Sequence, residues 1–158
     1  AIARALANEP TLVLADEPPE LVAESRNFWN VDIVIPPLTP SVTFTKEYPL
    51  NHDVLLRSLT PHMHLRGKSM VADLIRPDGS VEKLIDIPAW DQDWQFNHVF
   101  RTPRVAQAGS RVRVTATYDN SPGNPANPDP NAWVKDGPQT TDEMMSLVVE
   151  WIRPRAVE

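Results

Sequence analysis

Prolines occur along the whole of this chain, and they limit what it can fold into. The 158 residues include seventeen prolines but only five glycines. Because proline lacks a backbone N–H and clashes with the preceding helical turn, the sequence is incompatible with a bundle of long helices. Aliphatic and aromatic residues still make up 41% of the chain, so wholesale disorder is also disfavoured. The remaining possibility is a loop-rich, mostly β domain with prolines in its turns.

Short runs of β-favouring residues recur through most of the chain, separated by turn residues. The clearest run, at 111–118, alternates so that Val112, Val114 and Ala116 share one face. A Pro-Asp-Gly-Ser step at 77–80 is a strong hairpin signal. The strand candidates are 31–35, 41–45, 53–60, 70–75, 81–87, 94–101, 111–118 and 143–151. This spacing predicts an all-β fold, either a sandwich or a jelly roll.

Three segments are expected to lie outside the strands. Residues 120–130 contain Asn-Pro and Asp-Pro steps, which favour turns and predict a long Asn/Pro-rich loop. Residues 1–27 are expected to form an atypical N-terminal extension, and residues 155–158 a frayed tail. The domain itself is then assigned to residues 28–154.

The first eighteen residues differ from the rest. An apolar run, 12–15, ends in Asp16, Glu17 and Pro18, and it resembles the Walker B region of ABC-transporter ATPases, whose carboxylates hold Mg²⁺ and a water. The chain has no G-x-x-x-x-G-K-[ST] loop to hold phosphates. We therefore expect a fusion remnant or a terminal extension at this end of the chain, and no ATPase activity.

Charge and missing residue types exclude several functions. The net charge of −6 argues against nucleic acid or an anionic membrane as the main partner. No apolar run approaches the roughly 18 residues of a membrane-spanning helix. The chain has no cysteine, which excludes disulfide scaffolds, iron–sulfur clusters and thiol nucleophiles. Metal binding remains open through His, Met, Asp and Glu.

His62 and His64 form the sharpest candidate site. In a strand, residues two apart point to the same face about 7 Å from each other, so the two imidazoles could converge on one metal while Met63 points away. The alternative is a structural or surface role for both histidines. The candidates for a third ligand are Asp142, Glu143, Met144 and Met145. That segment could equally be a helix cap or a plain strand start, and methionine there is more often a core residue than a ligand.

The sequence around these residues resembles a known family. The runs 60–68, TPHMHLRGK, and 141–144, TDEM, look like the C-terminal domain of the copper type II, ascorbate-dependent monooxygenases. These are the peptidylglycine α-hydroxylating and dopamine β-type enzymes, and the resemblance is closer to their bacterial relatives. The other shared motifs are Pro-Asp-Gly at 77–79, Trp94-Gln95, Tyr118-Asp119-Asn120-Ser121 and the Asn-Pro loop. The resemblance covers roughly residues 30 to 152.

The resemblance implies an antiparallel jelly-roll sandwich that holds one copper ion. His62, His64 and Met144 would be its ligands and therefore the catalytic residues. In the family this copper binds O₂ and supports hydroxylation of a substrate C–H bond. A second copper, held by three histidines on a preceding domain, passes on an electron from ascorbate. The resemblance also implies an extracytoplasmic, periplasmic or secreted, location.

The sequence departs from the family at positions that matter for turnover. Only His52 and His98 remain outside the pair, so the chain lacks the residues for a three-histidine site, and we expect no turnover without an electron-donor domain. Thr60 replaces an arginine with which the peptide-amidating members hold substrate. Ser146 and Val148 replace their asparagine and tyrosine. The substrate is therefore an unspecified small organic molecule. The alternative function is a non-catalytic copper-binding or interaction module beside other redox domains.

Several other residues carry weaker expectations. Trp90, Trp94 and Phe96 are expected to pack between the sheets rather than to line a pocket. Trp133 and Trp151 suit the core or the packing of the long loop. Asp142 and Glu143 are expected to be hydrogen-bonding partners of the histidines or surface acids. Arg66 and Lys68 are expected to orient an anion or to face water. His98 is expected either to support the metal site from outside the ligand set or to play no part in it.

Overall fold

Ten β-strands and one short 3-10 helix make up residues 20–154, the part of the chain that the computed structural model describes. The strands are β1 (Leu21–Trp29), β2 (Val34–Ile35), β3 (Thr39–Pro49), β4 (Val54–His62), β5 (Gly67–Ile75), β6 (Val81–Ile87), β7 (His98–Ala106), β8 (Arg111–Asn120), β9 (Val134–Lys135) and β10 (Ser146–Pro154). The 3-10 helix is Gln92–Trp94. Within this part of the chain, no helix has the length and apolar character to cross a membrane.

The strands form two four-stranded sheets and one small two-stranded sheet. The strand orders are β1-β10-β4-β7, β3-β8-β5-β6 and β2-β9, and every neighbouring pair is antiparallel. Both large sheets contribute to one buried apolar cluster, which includes Leu59, Leu147, Met70, Leu74 and Val112. The fold is therefore an antiparallel β-sandwich, which confirms the predicted all-β class.

Alternation along β8 explains how one strand serves both the core and the surface. Val112, Val114 and Ala116 are all buried, as the sequence predicts, and the same face continues to Tyr118 and Asn120. Each fully buried side chain of valine size contributes roughly 1.5–3 kcal/mol relative to exposure. This central strand, lying between β3 and β5, therefore supplies a continuous inner face to its sheet.

The predicted hairpin joins β5 and β6. Gly79 has a φ of 83°, a conformation that a residue with a Cβ rarely adopts. The N–H of Arg76 donates to the Ser80 carbonyl at 2.9 Å, and Asp78 accepts the Ser80 N–H at 2.8 Å. The hairpin turn predicted from the Pro-Asp-Gly-Ser step at 77–80 is thus confirmed.

Some predicted boundaries differ from the structure. β1 begins at Leu21 and pairs with β10 over its full length, so the sheet includes residues that the sequence assigns to the 1–27 extension. Of the strand predicted at 31–35, only Val34–Ile35 pairs. Residues 1–19, with the ATPase-like segment, and the tail residues 155–158 lie outside the described part of the chain.

Some aromatic side chains that the sequence predicted to be buried are exposed in the structure. The prediction that Trp94 and Phe96 pack between the sheets is wrong, because their exposed fractions are 67% and 53%. Their rings instead contact each other, with centroids 5.4 Å apart. Trp133 is also mostly exposed, whereas Trp151 is buried and Trp90 packs partly buried against the core.

Candidate metal site

The two candidate histidines lie at the end of β4. The strand ends at His62, so the prediction that both histidines share one strand is wrong. The chain turns beyond it, where the N–H of Gly67 donates to the His64 carbonyl at 3.2 Å. The two imidazole rings still converge, with centroids 5.0 Å apart and an interplanar angle of 84°. Met63 is fully buried in the core between the sheets.

Met144 is joined to the histidine loop through Glu143. Ser146 is opposite His62 in the antiparallel ladder, and Glu143 Oε2 accepts the N–H groups of both His64 and Met144. The Tyr118 hydroxyl donates to the Met144 carbonyl at 2.8 Å, which fixes the backbone there. The side chain of Met144 is half-buried. The structure therefore brings the three predicted ligands to one end of the sandwich.

Glu143 connects the histidine loop to the methionine segment. Its side chain is fully buried. One carboxylate oxygen, Oε2, accepts the N–H groups of His64 at 2.8 Å and Met144 at 3.1 Å, and the other accepts the N–H of Arg66 at 2.6 Å. Burial raises the pKa of Glu143 to about 7, while these three N–H groups and the Arg66 charge act in the opposite direction. Glu143 is thus a structural partner of the loop, which was one of its two predicted roles.

Arg66 is buried, not exposed to water or to an anion as the sequence suggested. Only 1% of the residue is exposed. Its guanidinium donates to the Asn120 side chain at 2.8 Å, to the Thr141 carbonyl at 2.8 Å and to the Asp129 carbonyl at 3.3 Å. Arg66 therefore joins the histidine loop to β8, the long loop and the segment before β10.

The four candidates for a third ligand differ in what their side chains already bind. Both oxygens of Glu143 are used by backbone N–H groups. Asp142 accepts the Gln139 N–H at 3.2 Å, and the sulfur of the fully buried Met145 accepts from Asn30 at 3.5 Å. Among these four, only the side chain of Met144 makes no hydrogen bond within residues 20–154.

A metal at this position would depend on that thioether. Residues 20–154 contain no group of three or more His, Cys, Asp or Glu side chains placed to hold a metal ion. Two imidazoles and one thioether are a soft donor set, which suits copper better than Zn²⁺ or Mg²⁺. The residues present therefore fit the copper ion that the family resemblance implies.

The environment of His64 favours its neutral form. The residue is only 6% exposed, and burial is the main cause that lowers the pKa of its imidazole, with a smaller contribution from His62. Its Nδ1 lies 3.3 Å from the Asp142 carbonyl oxygen. Neutral imidazole is the form that binds metal ions, so the site needs no proton release from His64 near neutral pH.

A segment that sequence reasoning did not assign to the site, residues 90–95, contacts both histidines. Trp90 Nε1 donates to the His64 carbonyl at 3.2 Å, and Gln95 Oε1 lies 2.5 Å from His62 Nδ1. The segment includes the 3-10 helix, and the side chain of Asp91 at its N-cap accepts the Asp93 N–H. No spacing rule points to these contacts, because the segment is about thirty positions away in sequence.

An open cavity lies next to His64. Its volume is about 460 Å³, and its walls come from the histidine loop, the 90–95 segment and the long loop. The lining residues include Leu65, Trp90, Asp91, Gln92 and Asn124. Asn124 itself is fixed by donating to the carbonyls of Leu65 and Asp119, so the long loop is held against the site.

The other two histidines lie apart from the pair. His52 and His98 are both exposed, and His98 pairs with Leu59 at the start of β7. Neither makes a ring contact with His62 or His64 within the described residues.

Comparisons with known proteins do not identify the chain. No protein-family model matches it, and no curated protein does. Among solved structures it is similar to a chain in the structure of infectious bursal disease virus, Gt strain, at 11% identity and a TM-score of 0.33. The likeness covers 85% of this chain and 41% of the viral chain, so this chain spans less than half of that one. A likeness at this level carries no argument about function.

Proposed function

We propose that this chain is a mononuclear copper-binding domain of a monooxygenase-like protein, with His62, His64 and Met144 as ligands. The observation that supports it most is the approach of the two imidazole rings, whose centroids are 5.0 Å apart. The segment that carries the thioether is joined to the same loop through one oxygen of Glu143. Both observations support a common location for the three proposed donors.

The protein's own residues would hold and shield the site. Glu143 and Tyr118 fix the backbone on either side of Met144, and Trp90 fixes the carbonyl of His64. When bound, copper in such a donor set supplies one-electron redox chemistry and a position for O₂. The adjacent cavity of about 460 Å³ is where a small organic substrate would lie.

Electron supply requires a partner in this proposal. Hydroxylation of a C–H bond by O₂ consumes two electrons from outside the substrate, and a one-electron centre supplies only one of them. We therefore include a preceding copper domain or another redox domain, with ascorbate or another reductant as the source. Purified alone with ascorbate, O₂ and a C–H substrate, the domain should show little coupled hydroxylation.

The proposal is tested by metal content and by the ligands of the metal. Anaerobic titration with Cu(I) should saturate at about one copper per chain. Cu K-edge X-ray absorption of that Cu(I) form should show nitrogen scatterers together with one sulfur scatterer, because the proposed ligand set includes the Met144 thioether. Failure to retain copper, or a copper without sulfur, would contradict the assignment.

A non-catalytic module is the second candidate, favoured by the exposed aromatic pair near the site. Trp94 and Phe96 are mostly exposed and contact each other, and exposed aromatic side chains are typical of protein contacts. Such a module would bind copper but give no hydroxylated product even with an electron-donor domain added. Product formation that depends on the added donor would favour the enzyme.

A further inference from the structure

The side chain of Gln95 is the closest polar neighbour of the His62 ring. Its Oε1 lies 2.5 Å from His62 Nδ1. A neutral imidazole has one N–H and one bare nitrogen, so the hydrogen of the His62 ring lies either on Nδ1 or on Nε2. That choice decides which ring nitrogen is free to bind a metal.

A second hydrogen bond fixes the orientation of the Gln95 amide. Its Nε2 donates to the carbonyl oxygen of Gln92 at 2.8 Å. If the amide were turned over, its oxygen would face that carbonyl oxygen, and two acceptors would be in contact. The Gln95 oxygen therefore faces His62, and since an amide oxygen only accepts, His62 Nδ1 must donate.

The second ring also faces an acceptor. His64 Nδ1 lies 3.3 Å from the carbonyl oxygen of Asp142, which also only accepts. His62 is thus held with the hydrogen on Nδ1 and a lone pair on Nε2, and His64 Nδ1 likewise faces an acceptor. The two ring planes stand at 84° to each other with their centroids 5.0 Å apart.

We propose that Gln95 is a positioning residue that fixes the Nδ1–H tautomer and the ring orientation of His62. The link to copper rests on the proposed function, whereas the tautomer itself does not. Gln95 is held for this role by the 3-10 helix Gln92–Trp94, in which Asp91 accepts the Asp93 N–H at 2.9 Å and the Trp94 N–H donates to the Asp91 carbonyl. Removing the hydrogen-bond partner of a metal-binding histidine typically lowers metal affinity by about 10- to 100-fold.

The first measurement is the tautomer of each histidine in the copper-free protein. Long-range ¹H–¹⁵N correlation spectra, recorded at a pH where the rings are neutral, should show Nδ1–H on both His62 and His64. In Gln95→Met, which keeps the length but removes the acceptor, His62 should shift toward Nε2–H while His64 stays unchanged. Gln95→Glu keeps an acceptor and should restore Nδ1–H. An unchanged His62 in Gln95→Met, or Nε2–H in the unsubstituted protein, would overturn the proposal.

The second measurement is Cu(I) affinity in the same variants. Gln95→Met should weaken binding by about 10- to 100-fold, and Gln95→Glu should recover most of it. Gln107→Met, an exposed glutamine outside the site, is the matched control and should bind as the unsubstituted protein does. Equal affinity in Gln95→Met despite a changed tautomer would overturn the link between Gln95 and copper binding, while the tautomer assignment would stand.

The two results separate this inference from the proposed function. If His62 shows Nδ1–H and responds to Gln95→Met but the protein binds no copper, the tautomer assignment stands and the proposed function fails. If copper binds with a sulfur ligand but His62 ignores Gln95, the proposed function stands and this inference fails.

Discussion

Glu143 accepts the backbone N–H of His64 at 2.8 Å, although 79 positions separate the two residues in sequence. The same carboxylate accepts the N–H groups of Arg66 and Met144. A buried carboxylate is unfavourable unless it is hydrogen-bonded, and here the bonds come from the two segments that carry the candidate ligands. Glu143 therefore determines the position of the His64 loop relative to Met144.

Replacing Glu143 by Gln should destabilise the protein. The glutamine has a single acceptor oxygen, and its NH₂ group would face at least one of the backbone N–H groups of His64, Arg66 or Met144. A buried donor left without a partner costs about 1–3 kcal/mol. Urea denaturation, monitored by tryptophan fluorescence, gives the change in the free energy of unfolding.

The matched control for this variant is Glu47→Gln. Glu47 is a surface residue whose carboxylate pairs with Arg111 at 2.8 Å, and loss of an exposed ion pair typically costs less than about 1 kcal/mol. If Glu143→Gln is no more destabilised than Glu47→Gln, the carboxylate does not organise the loop in the way described.

Removing the candidate ligands should weaken Cu(I) binding. His62→Ala removes an imidazole, and Met144→Leu replaces the thioether by an apolar group of similar size, which leaves packing nearly intact. Both should lower the affinity measured by competition with a Cu(I) chelator, and Met144→Leu should also lose the sulfur signal in X-ray absorption. His52→Ala, at an exposed position outside the pair, should have no effect. Unchanged affinity in both site variants would contradict the assignment of the site.

Gly67 is needed because Trp90 lies against it. A Cβ at this position would come within 2.6 Å of Trp90 Cδ1 and 3.0 Å of Met63 Cβ. Gly67→Ala should therefore lower the free energy of unfolding by about 1–3 kcal/mol, as overpacking usually does. Combining it with Trp90→Leu tests the cause, since a large coupling is expected for residues in contact. Additive effects of the two substitutions would show that another contact is responsible.

The sequence predicted the sheets better than the site, for a physical reason. Period-two alternation is a local property, so β6 and the inner face of β8 could be predicted from composition and order. The position of His64 outside β4 and the burial of Arg66 depend on hydrogen bonds to Glu143, Asn120 and Thr141. Partners so distant in sequence leave no periodic signal.

The local sequence pattern also did not determine which aromatic side chains are buried. Trp94 belongs to a 3-10 helix whose backbone is used to place Gln95 beside His62, and its own side chain remains 67% exposed. Hydrophobicity alone predicted burial for it. The geometry that positions one side chain of this short helix leaves its neighbour facing solvent.

The ion pair between β1 and β10 predicts a pH dependence of stability. Arg153 donates to Glu24 Oε1 at 2.5 Å, and Trp151 donates to Oε2 at 3.0 Å. The hydrogen bond from Arg153, and next the one from Trp151, lower the pKa of Glu24 below its ordinary value. A carboxyl whose pKa is lower in the folded state stabilises that state above the unfolded pKa of about 4.3. This contribution is lost as the pH falls through the folded pKa.

Comparing the unsubstituted protein with Glu24→Gln isolates this effect. The difference in unfolding free energy between the two should be constant from neutral pH down to about pH 5, and should then shrink as the carboxyl is protonated. The side chain of Glu24 is 33% exposed, so solvent screening keeps the difference small and high salt should reduce it further. Urea unfolding curves at several pH values between 3 and 7, at low and high salt, measure both trends. A difference that grows on acidification would show that this ion pair does not hold β1 against β10.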